Sequence, residues 1–413
     1  MHFNRRLSAA GKESGQILVL SALALPALLL FAGLAIDFGV GYLTKAELSK
    51  ACDAASLAVM RNLGQGETLA TAIGNSEFAL NYDSSASFKL DASAPSLSVS
   101  YSSDSYGDPI VNISAVATIR TFFIRLAGIK TLSVSSSSQA TRPPVILSLV
   151  LDKSGSMNIN GGATALPPSV QDFLGYFLVN TDQLGEISFS SIATQDVAIT
   201  KSFQTPITNT VNAMVFGGAT FAQGGLLDAQ TQVQGVSSPP PNAVKTVVFF
   251  TDGWANTNND TLKGSKVNYG GCSQVEYTAG WCSAVFCLNP TTGSTISYTS
   301  GTSGSCNSST SFPAQDPALT SPATMNLTNI GTEATYRAVQ LANQMRTQGI
   351  TVYSIGLGDK INTTYLQELA NDPASPQYNA NEPSGLAEFA PTASDLDAAF
   401  QTIASKILLR LTQ

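Results

Sequence analysis

Histidine is almost missing from this 413-residue chain; its one copy, His2, lies in the extreme N-terminal tail. That absence removes Ser-His-Asp catalysis, Cys-His catalysis and His-ligated zinc from consideration. Charge is scarce as well. Charged residues make up 12% of the chain, and the formal net charge is −7. Contact with nucleic acid needs clustered Lys and Arg, so no nucleic-acid partner is expected. Cysteine is thinly and unevenly spread. Cys52 stands alone, while Cys272, Cys282, Cys287 and Cys306 fall in one polar stretch with no C-x-x-C pair. A zinc site is therefore not expected. In an oxidising compartment the four read as two disulfides with three connectivities open; in a cytosolic loop they would be four thiols. Loops rich in Ser, Thr, Asn and Gly fit a secreted or surface protein. The length leaves room for more than one domain.

One long apolar run is present. Ile17 to Ile36, ILVLSALALPALLLFAGLAI, contains no charge. At about 1.5 Å rise per residue it can cross the ~30 Å hydrocarbon core of a bilayer. Pro26 and Gly33 lie inside it, which membrane helices tolerate. Arg5, Arg6 and Lys12 precede the run; Lys45 and Lys50, diluted by Asp37 and Glu47, follow it. This bias favours an N-terminus on the inside. The competing reading is a cleaved signal peptide. The length of the run and the lack of a clean small-x-small site weigh against it. Tyr42 to Leu63 is rich in alanine, with no Gly or Pro until Gly64. The helix is thus expected to continue out of the membrane as an amphipathic stem. Asp37, at the outer end of the span, reads as an interfacial carboxylate, with packing against a partner helix as the lesser reading.

The stretch GQILVLSALALPALLLFAGLAIDFGVGYLTKAELSKACDAASLAV resembles the N-terminal region of TadG-like proteins of the Flp (tight adherence) pilus system. The Gly-Gln start, the central Leu-Pro, Ala-Ile-Asp-Phe-Gly and the pattern from Lys45 to Ala58 carry the likeness. It implies a single-pass protein of the bacterial inner membrane with its C-terminal part periplasmic or extracellular. Other Tad pilus components are the implied partners. The fifth residue after Gly15 is Leu20, not the Glu of pilin precursors, so a retained membrane protein is expected rather than a processed pilus subunit.

Residues 64–142 alternate in the manner of strands. Leu97, Val99 and Tyr101 alternate with serines, and Val111, Ile113, Ala115, Ala117 and Ile119 with smaller or polar residues. Phe122-Phe123-Ile124 and Leu132-Ser133-Val134 are two further short candidates, and Gly107-Asp108-Pro109 is a turn signal. A small, pilin-like antiparallel sheet with one buried face is expected, covering the stem. Ser133 to Ser138 with Thr141-Arg142-Pro143-Pro144 reads as a linker.

From Val145 strands and helices alternate. The expected strands are Val145–Asp152, Glu186–Ser190, Val197–Thr200, Val244–Asp252 and Ile350–Leu357. The expected helices are Pro167–Val179, Phe221–Val233, Glu333–Gln348 stopped by Gly349, and Ser394–Leu409 capped by Ser394. This order predicts an α/β fold with a doubly wound, mostly parallel sheet. Val145–Asp152 is an unbroken apolar run ending in a carboxylate, as a strand buried on both faces would be. Ligands of such sheets bind outside the carboxyl ends of the strands. Asp152, Ser154 and Ser156 would offer hard oxygens there, suited to Mg²⁺ or a similar cation. The domains expected are residues 1–63, 64–142 and 143–413.

These residues resemble the von Willebrand factor type A domain. Asp152-Lys153-Ser154-Gly155-Ser156 matches its Asp-x-Ser-x-Ser motif, Gly217-Gly218-Ala219-Thr220 supplies the threonine, and Thr251-Asp252-Gly253 the distal aspartate. The likeness implies that Ser154, Ser156 and Thr220 coordinate the ion directly or nearly so. Asp152 and Asp252 act directly or through water, and an acidic group of a protein partner completes the shell. Mg²⁺ is the first expectation, with Mn²⁺ or Ca²⁺ open. Alone, the first motif is a self-bonded turn and Asp252 a helix cap. The three segments together, in order, point to an ion site.

Residues at about 256–328, which carry the cysteine quartet, form an insertion leaving from the metal face. Two readings stand open. It is either a cap that selects the partner through Trp254, Tyr269, Tyr277, Trp281, Phe286 and Tyr298, or a decoration whose aromatics form its own core. For the whole chain, the leading expectation is a membrane-anchored, metal-dependent binding or adhesion module and not an enzyme. A metal-dependent hydrolase on the same sheet and a structural envelope anchor remain the alternatives.

Overall fold

The structure is a computed structural model that describes residues 14–83, 91–105, 107–262, 265–271, 285–294, 310–359 and 361–411. Cys272, Cys282, Cys306, Tyr277, Trp281 and Tyr298 lie outside the described residues. Cys287 is disulfide-bonded, and Cys52 is a buried free thiol. The chain divides into two compact units. One comprises Met1–Asn62, Glu67–Ser102 and Ile110–Ala140; the other comprises Leu63–Gly66, Ser103–Pro109 and Thr141–Gln413.

In the first unit the apolar run and the stem form one helix, α1 (Ser14–Asn62), with Pro26 inside it. Among the described residues it is the one helix long and apolar enough to cross a membrane. A second helix, α2 (Glu67–Asn81), replaces the strand character expected just after Gly64. Ala70, Gly74 and Phe78 are its buried residues. That spacing of four is a helix face, which outweighs local alternation. Gly74 is required there, because a Cβ would stand 2.3 Å from Val59 Cγ2 of α1.

Strands β1 (Asp91–Ser103), β2 (Pro109–Arg120) and β3 (Thr131–Thr141) then form an antiparallel meander. The alternation in β2 holds, with Val111, Ile113, Ala115, Ala117 and Ile119 all buried. The sheet lies along α1, where Ser56 Oγ meets Ser138 Oγ at 3.0 Å. Phe122-Phe123-Ile124 is not a strand. It bends into a 3₁₀ turn, Ile124–Ala127, closed by Gly128 at φ 93°. The cause is Asp37. Its Oδ1 accepts the Phe122 N–H at 2.7 Å, and its Oδ2 those of Phe123 at 2.9 Å and Ile124 at 2.7 Å. Those N–H groups are then spent on the carboxylate and cannot join a ladder. Asp37 is accordingly buried, and its partner is this loop's backbone, not an interfacial solvent layer or another helix.

The second unit is a sheet between two helical layers. Its strands are β4 (Val145–Asp152), β5 (Gln183–Phe189), β6 (Ala193–Thr200), β7 (Val244–Thr251), later strands β13 (Thr351–Leu357) and β14 (Ala387–Ala390). The spatial order is β14-β13-β7-β4-β5-β6. Neighbours pair in parallel except β6, which is antiparallel to β5 at the edge. Every residue of β4 is buried. Val145, Leu147, Leu149 and Leu151 face the core shared with α3 (Gly162–Leu174) and α8 (Leu396–Leu411). Ile146 and Val150 face the core shared with α5 (Ala222–Gln234) and α6 (Leu327–Thr347). Ser148 on that second face is satisfied by Gln232 Oε1 at 2.7 Å.

Several boundaries differ from expectation, each for a local reason. Helix α3 begins five residues before Pro167, because Gly161 at φ 74° starts it and small residues fill its first turn. Helix α6 begins at Leu327, where the Asn326 side chain accepts the Asn329 N–H at 2.9 Å. The last helix is capped by Thr392 rather than Ser394, in a capping box with Asp395 that leads through a 3₁₀ turn into α8. Helices α4 (Gln204–Asn212) and α7 (Thr363–Ala370) and strand β14 were not anticipated. Arg142 is not linker. It is buried in a two-pronged ion pair with Asp182, at 3.0 and 2.6 Å, whose Oδ1 also accepts the Val145 N–H at 2.9 Å.

The inserted stretch folds as a small antiparallel sheet, β10-β9-β8, from β8 (Thr257–Leu262), β9 (Ser265–Gly271) and β10 (Val285–Leu288). A short pair follows, β11 (Ser311–Phe312) with β12 (Ala323–Thr324). Leu262, Val267, Tyr269, Phe312, Met325 and Ile330 make its own core. Tyr269, for which a contact anchor and a place in the insertion's own core both stood open, is buried there against Phe312.

Candidate metal centre

The sheet order explains where a site can form. From β4 the chain moves outward to β5 and β6, then returns past β4 to β7 on the other side. The crevice beyond the carboxyl ends of β4 and its neighbours is therefore a topological switch point. Asp152 ends β4, and Asp252 directly follows β7, the adjacent strand.

Asp152 has no exposed surface. Its Oδ1 accepts the Ser154 N–H at 2.7 Å, and its Oδ2 accepts the Thr251 hydroxyl at 2.6 Å. The first bond closes the turn that lifts Ser154 and Ser156 above the strand end. Ser154 Oγ lies 3.1 Å from Ser156 Oγ, which in turn donates to Asp252 Oδ1 at 2.7 Å. The other Asp252 oxygen accepts Asn160 Nδ2 at 2.9 Å. Four of the five expected residues are thus linked, Asp152 through the Ser154 N–H and Ser154, Ser156 and Asp252 through their side-chain oxygens. The fifth, Thr220, is brought alongside by backbone bonds. Gly217 N–H donates to Lys153 O at 2.8 Å, and Gly155 N–H to Gly218 O at 3.1 Å. The approach is close enough that Gly218, at φ 88°, could carry no side chain, since a Cβ would stand 2.6 Å from Ser191 Oγ. Thr220 itself is pinned at both backbone atoms. Its N–H donates to Asn256 Oδ1 at 2.8 Å, and its carbonyl accepts the Asn256 N–H at 3.1 Å.

Thr251, Asn160, Asn256 and Ser191 were not anticipated in the sequence. Thr251 stands in the Thr251-Asp252-Gly253 motif without a role of its own there, the other three in no motif, and all four act by holding the oxygen donors in place.

Burial, and then the charge of Asp252, push the Asp152 carboxyl above its ordinary range; hydrogen bonds from Thr251 and Ser154 offset part of this. Two carboxylates held together away from water suit a cation between them. Carboxylate and hydroxyl oxygens are also the donors that Mg²⁺ takes. Among the described residues no group of three or more His, Cys, Asp and Glu is placed to hold a metal ion; the donors gathered here are two carboxylates and neighbouring hydroxyls.

The inserted sheet stands beside this crevice. Asn268 Nδ2 donates to Ser191 O at 2.9 Å, and Ser191 Oγ accepts the Ala219 N–H at 3.1 Å. Gly293 sits against the same turn, where a Cβ would lie 3.3 Å from Ser191 Cβ. Ile159, Val215 and Trp254, on the three loops of the site, are exposed.

Residues 15–62 match the family described as putative Flp pilus-assembly TadE/G-like. The chain has a TadE/G-like N-terminal region. Its second unit has a mostly parallel, helix-covered sheet of von Willebrand factor type A-like fold. Among solved structures, it is similar to the vWF domain of the type V pili tip protein Mfa5 from Porphyromonas gingivalis, at 17% identity and TM-score 0.43, covering 66% of this chain and 98% of that one. The PilB minor pilin from Streptococcus sanguinis is 16% identical, with TM-score 0.42 and 77% and 79% of the two chains covered. Proximal thread matrix protein 1 from the mussel byssus, described with a zinc occupied MIDAS motif, is 13% identical with TM-score 0.37. There the match spans 65% of this chain and 46% of that one. A comparison with curated proteins returned no match.

Proposed function

We propose that this chain is a membrane-anchored, cation-dependent protein-binding module that serves Tad pilus assembly or surface attachment. The stem would be residues 1–63, the β region 64–142 and the binding domain 143–413. The apolar stretch 17–36 would anchor it in the bacterial inner membrane, with the binding domain outside. The observation that carries this reading is the bonded series Asp152, Ser154, Ser156 and Asp252, joined through the Ser154 N–H and then through side-chain oxygens, with the Thr220 loop bonded beside it.

Asp152, Ser154, Ser156, Thr220 and Asp252 would hold Mg²⁺, and Mn²⁺ or Ca²⁺ would satisfy the same oxygens. When bound, the cation supplies open coordination positions that an acidic side chain of a protein partner fills. The exposed Ile159, Val215 and Trp254 suit a partner whose acidic group is flanked by apolar surface. Binding is favoured over catalysis because neither serine has a histidine to activate it.

The test is a pull-down with the full chain in Mg²⁺ or in chelator, repeated with Asp152→Ala. Capture that needs Mg²⁺ and intact Asp152, while the melting profile stays cooperative, supports the proposal. Capture indifferent to both overturns it and leaves the ion a structural part at most.

A further inference from the structure

The turn between β2 and β3 carries an arrangement that the binding domain does not explain. Phe122 and Phe123 are 40% and 39% exposed, Leu126 is 82% and Ile129 53% exposed. Four large apolar side chains on one short turn are costly in water. Basic residues Arg120, Arg125 and Lys130 are interleaved with them, and the turn itself holds no acidic residue. The carboxylate bonded to the turn, Asp37, is occupied by three of the turn's backbone N–H groups.

Those three bonds also fix the height of the turn along α1. Asp37 is the residue immediately after the apolar run Ile17–Ile36. Phe123 reaches deeper. A Cβ on Gly33 would stand 2.4 Å from Phe123 Cγ, so the ring lies against the helix backbone at Gly33. Gly33 is three residues inside the end of the run, about 4.5 Å below it at 1.5 Å per residue. The span and the turn both present apolar side chains: Phe31 and Ile36 on the span are exposed, as are Phe122, Phe123 and Leu126 on the turn.

We propose that the β2–β3 turn is a second membrane contact, seating its apolar side chains in the bilayer interface beside α1 and its basic residues among anionic headgroups. This rests on the reading that α1 is anchored in a bilayer. Aromatic and aliphatic side chains with basic neighbours are the chemistry of interfacial insertion. The Asp37 clamp makes the turn a collar at the outer end of the span, which limits how far the stem can tilt or slide.

The experiment places a photoreactive p-benzoylphenylalanine in the full chain, reconstituted in vesicles of phosphatidylcholine with phosphatidylglycerol. It stands in turn at Leu25 in the span, at Leu126 in the turn, and at Gln139, next to the Ser138 that meets Ser56 far up the stem. The expected result is lipid crosslinking at Leu25 and Leu126 and at least five-fold less at Gln139. Crosslinking at Leu25 with Leu126 no higher than Gln139 overturns the collar and leaves the anchor standing. No crosslinking at Leu25 overturns the anchor reading, and the collar with it. Vesicles of phosphatidylcholine alone should halve the Leu126 yield; an unchanged yield removes the anionic headgroup from the proposal.

Discussion

Asp152 is fully buried, and both of its oxygens accept hydrogen bonds, yet it shares the crevice with a second carboxylate, Asp252. Substituting Asp152→Asn removes a charge that the fold holds at a cost and the cation would use. In chelator, the variant should melt at or above the temperature of the parent. With Mg²⁺ added, the parent should rise and the variant should not, as thermal unfolding with and without the ion would read. A variant that still responds to Mg²⁺ would count against the site. Glu186 is a buried carboxyl of another kind. Loss of hydration pushes it up to about 7, with a bond from the Thr210 hydroxyl offsetting part of the rise. A raised carboxyl costs stability only when ionised. The cost is absent below its unfolded pKa near 4.5, grows from there to about 7, and is fully present above. Glu186→Gln should therefore stabilise more at pH 8 than at pH 5, by ~2 kcal/mol, in urea unfolding run in chelator. Asp152, Ser154 and Ser156 were legible because they stand in one short motif. Asn160 and Asn256 were not, since each is an ordinary polar residue until the fold carries it to its partner; Thr251 stood in the Thr251-Asp252-Gly253 motif, but its bond to Asp152 exists only once β4 and β7 pair.

At the scale of elements, legibility followed burial on both faces. Strands β4, β7 and β13 are mostly apolar runs, buried along most of their length, and declared themselves. Helix α4, QTPITNTVN, has only Ile207 and Val211 to bury, and α7 is barely two turns, so neither offered enough period to read. The insertion was legible, and a core of its own was one of the two readings left open, but its strands were not, because part of what holds them is an ion network set by one helix. Arg337 of α6 donates to Glu333 at 2.6 Å and to Asp260 of β8 at 2.8 Å, and its Nη1 reaches Asn259 O at 3.1 Å. Tyr269 of β9 donates to the same Asp260 oxygen at 2.7 Å. Glu333 also accepts the N–H groups of Gln315 and Asp316, at 2.8 and 3.0 Å. Arg337→Met would leave Glu333 and Asp260 uncompensated, a change of about 3–5 kcal/mol for a buried pair. The loss should be local. Hydrogen exchange should quicken in β8 and β9 while β4 and β7 keep their protection. Equal quickening throughout would mean that the inserted sheet and the main sheet open as one body.

At the scale of the molecule, the candidate site belongs to one of the two units. Both cores of the large sheet draw only on residues from Val145 to Leu408, and the core of the inserted sheet lies within those limits. All five candidate ligand residues lie there as well. The Arg142–Asp182 pair, which also holds the first N–H of β4, falls just after the boundary at Ala140. A fragment of residues 141–413 therefore keeps every buried contact that defines the site, and should fold without the stem. It should unfold in one transition and gain stability from Mg²⁺ as the full chain does. At a hundredfold excess over Kd, linkage adds about 2.7 kcal/mol, or roughly 5 °C for a domain of this size. Adding Asp252→Asn to the fragment should abolish that rise while the transition stays cooperative. A fragment that aggregates, or that folds but ignores Mg²⁺ when the full chain responds, would show that the stem and its small sheet are needed to complete the binding domain.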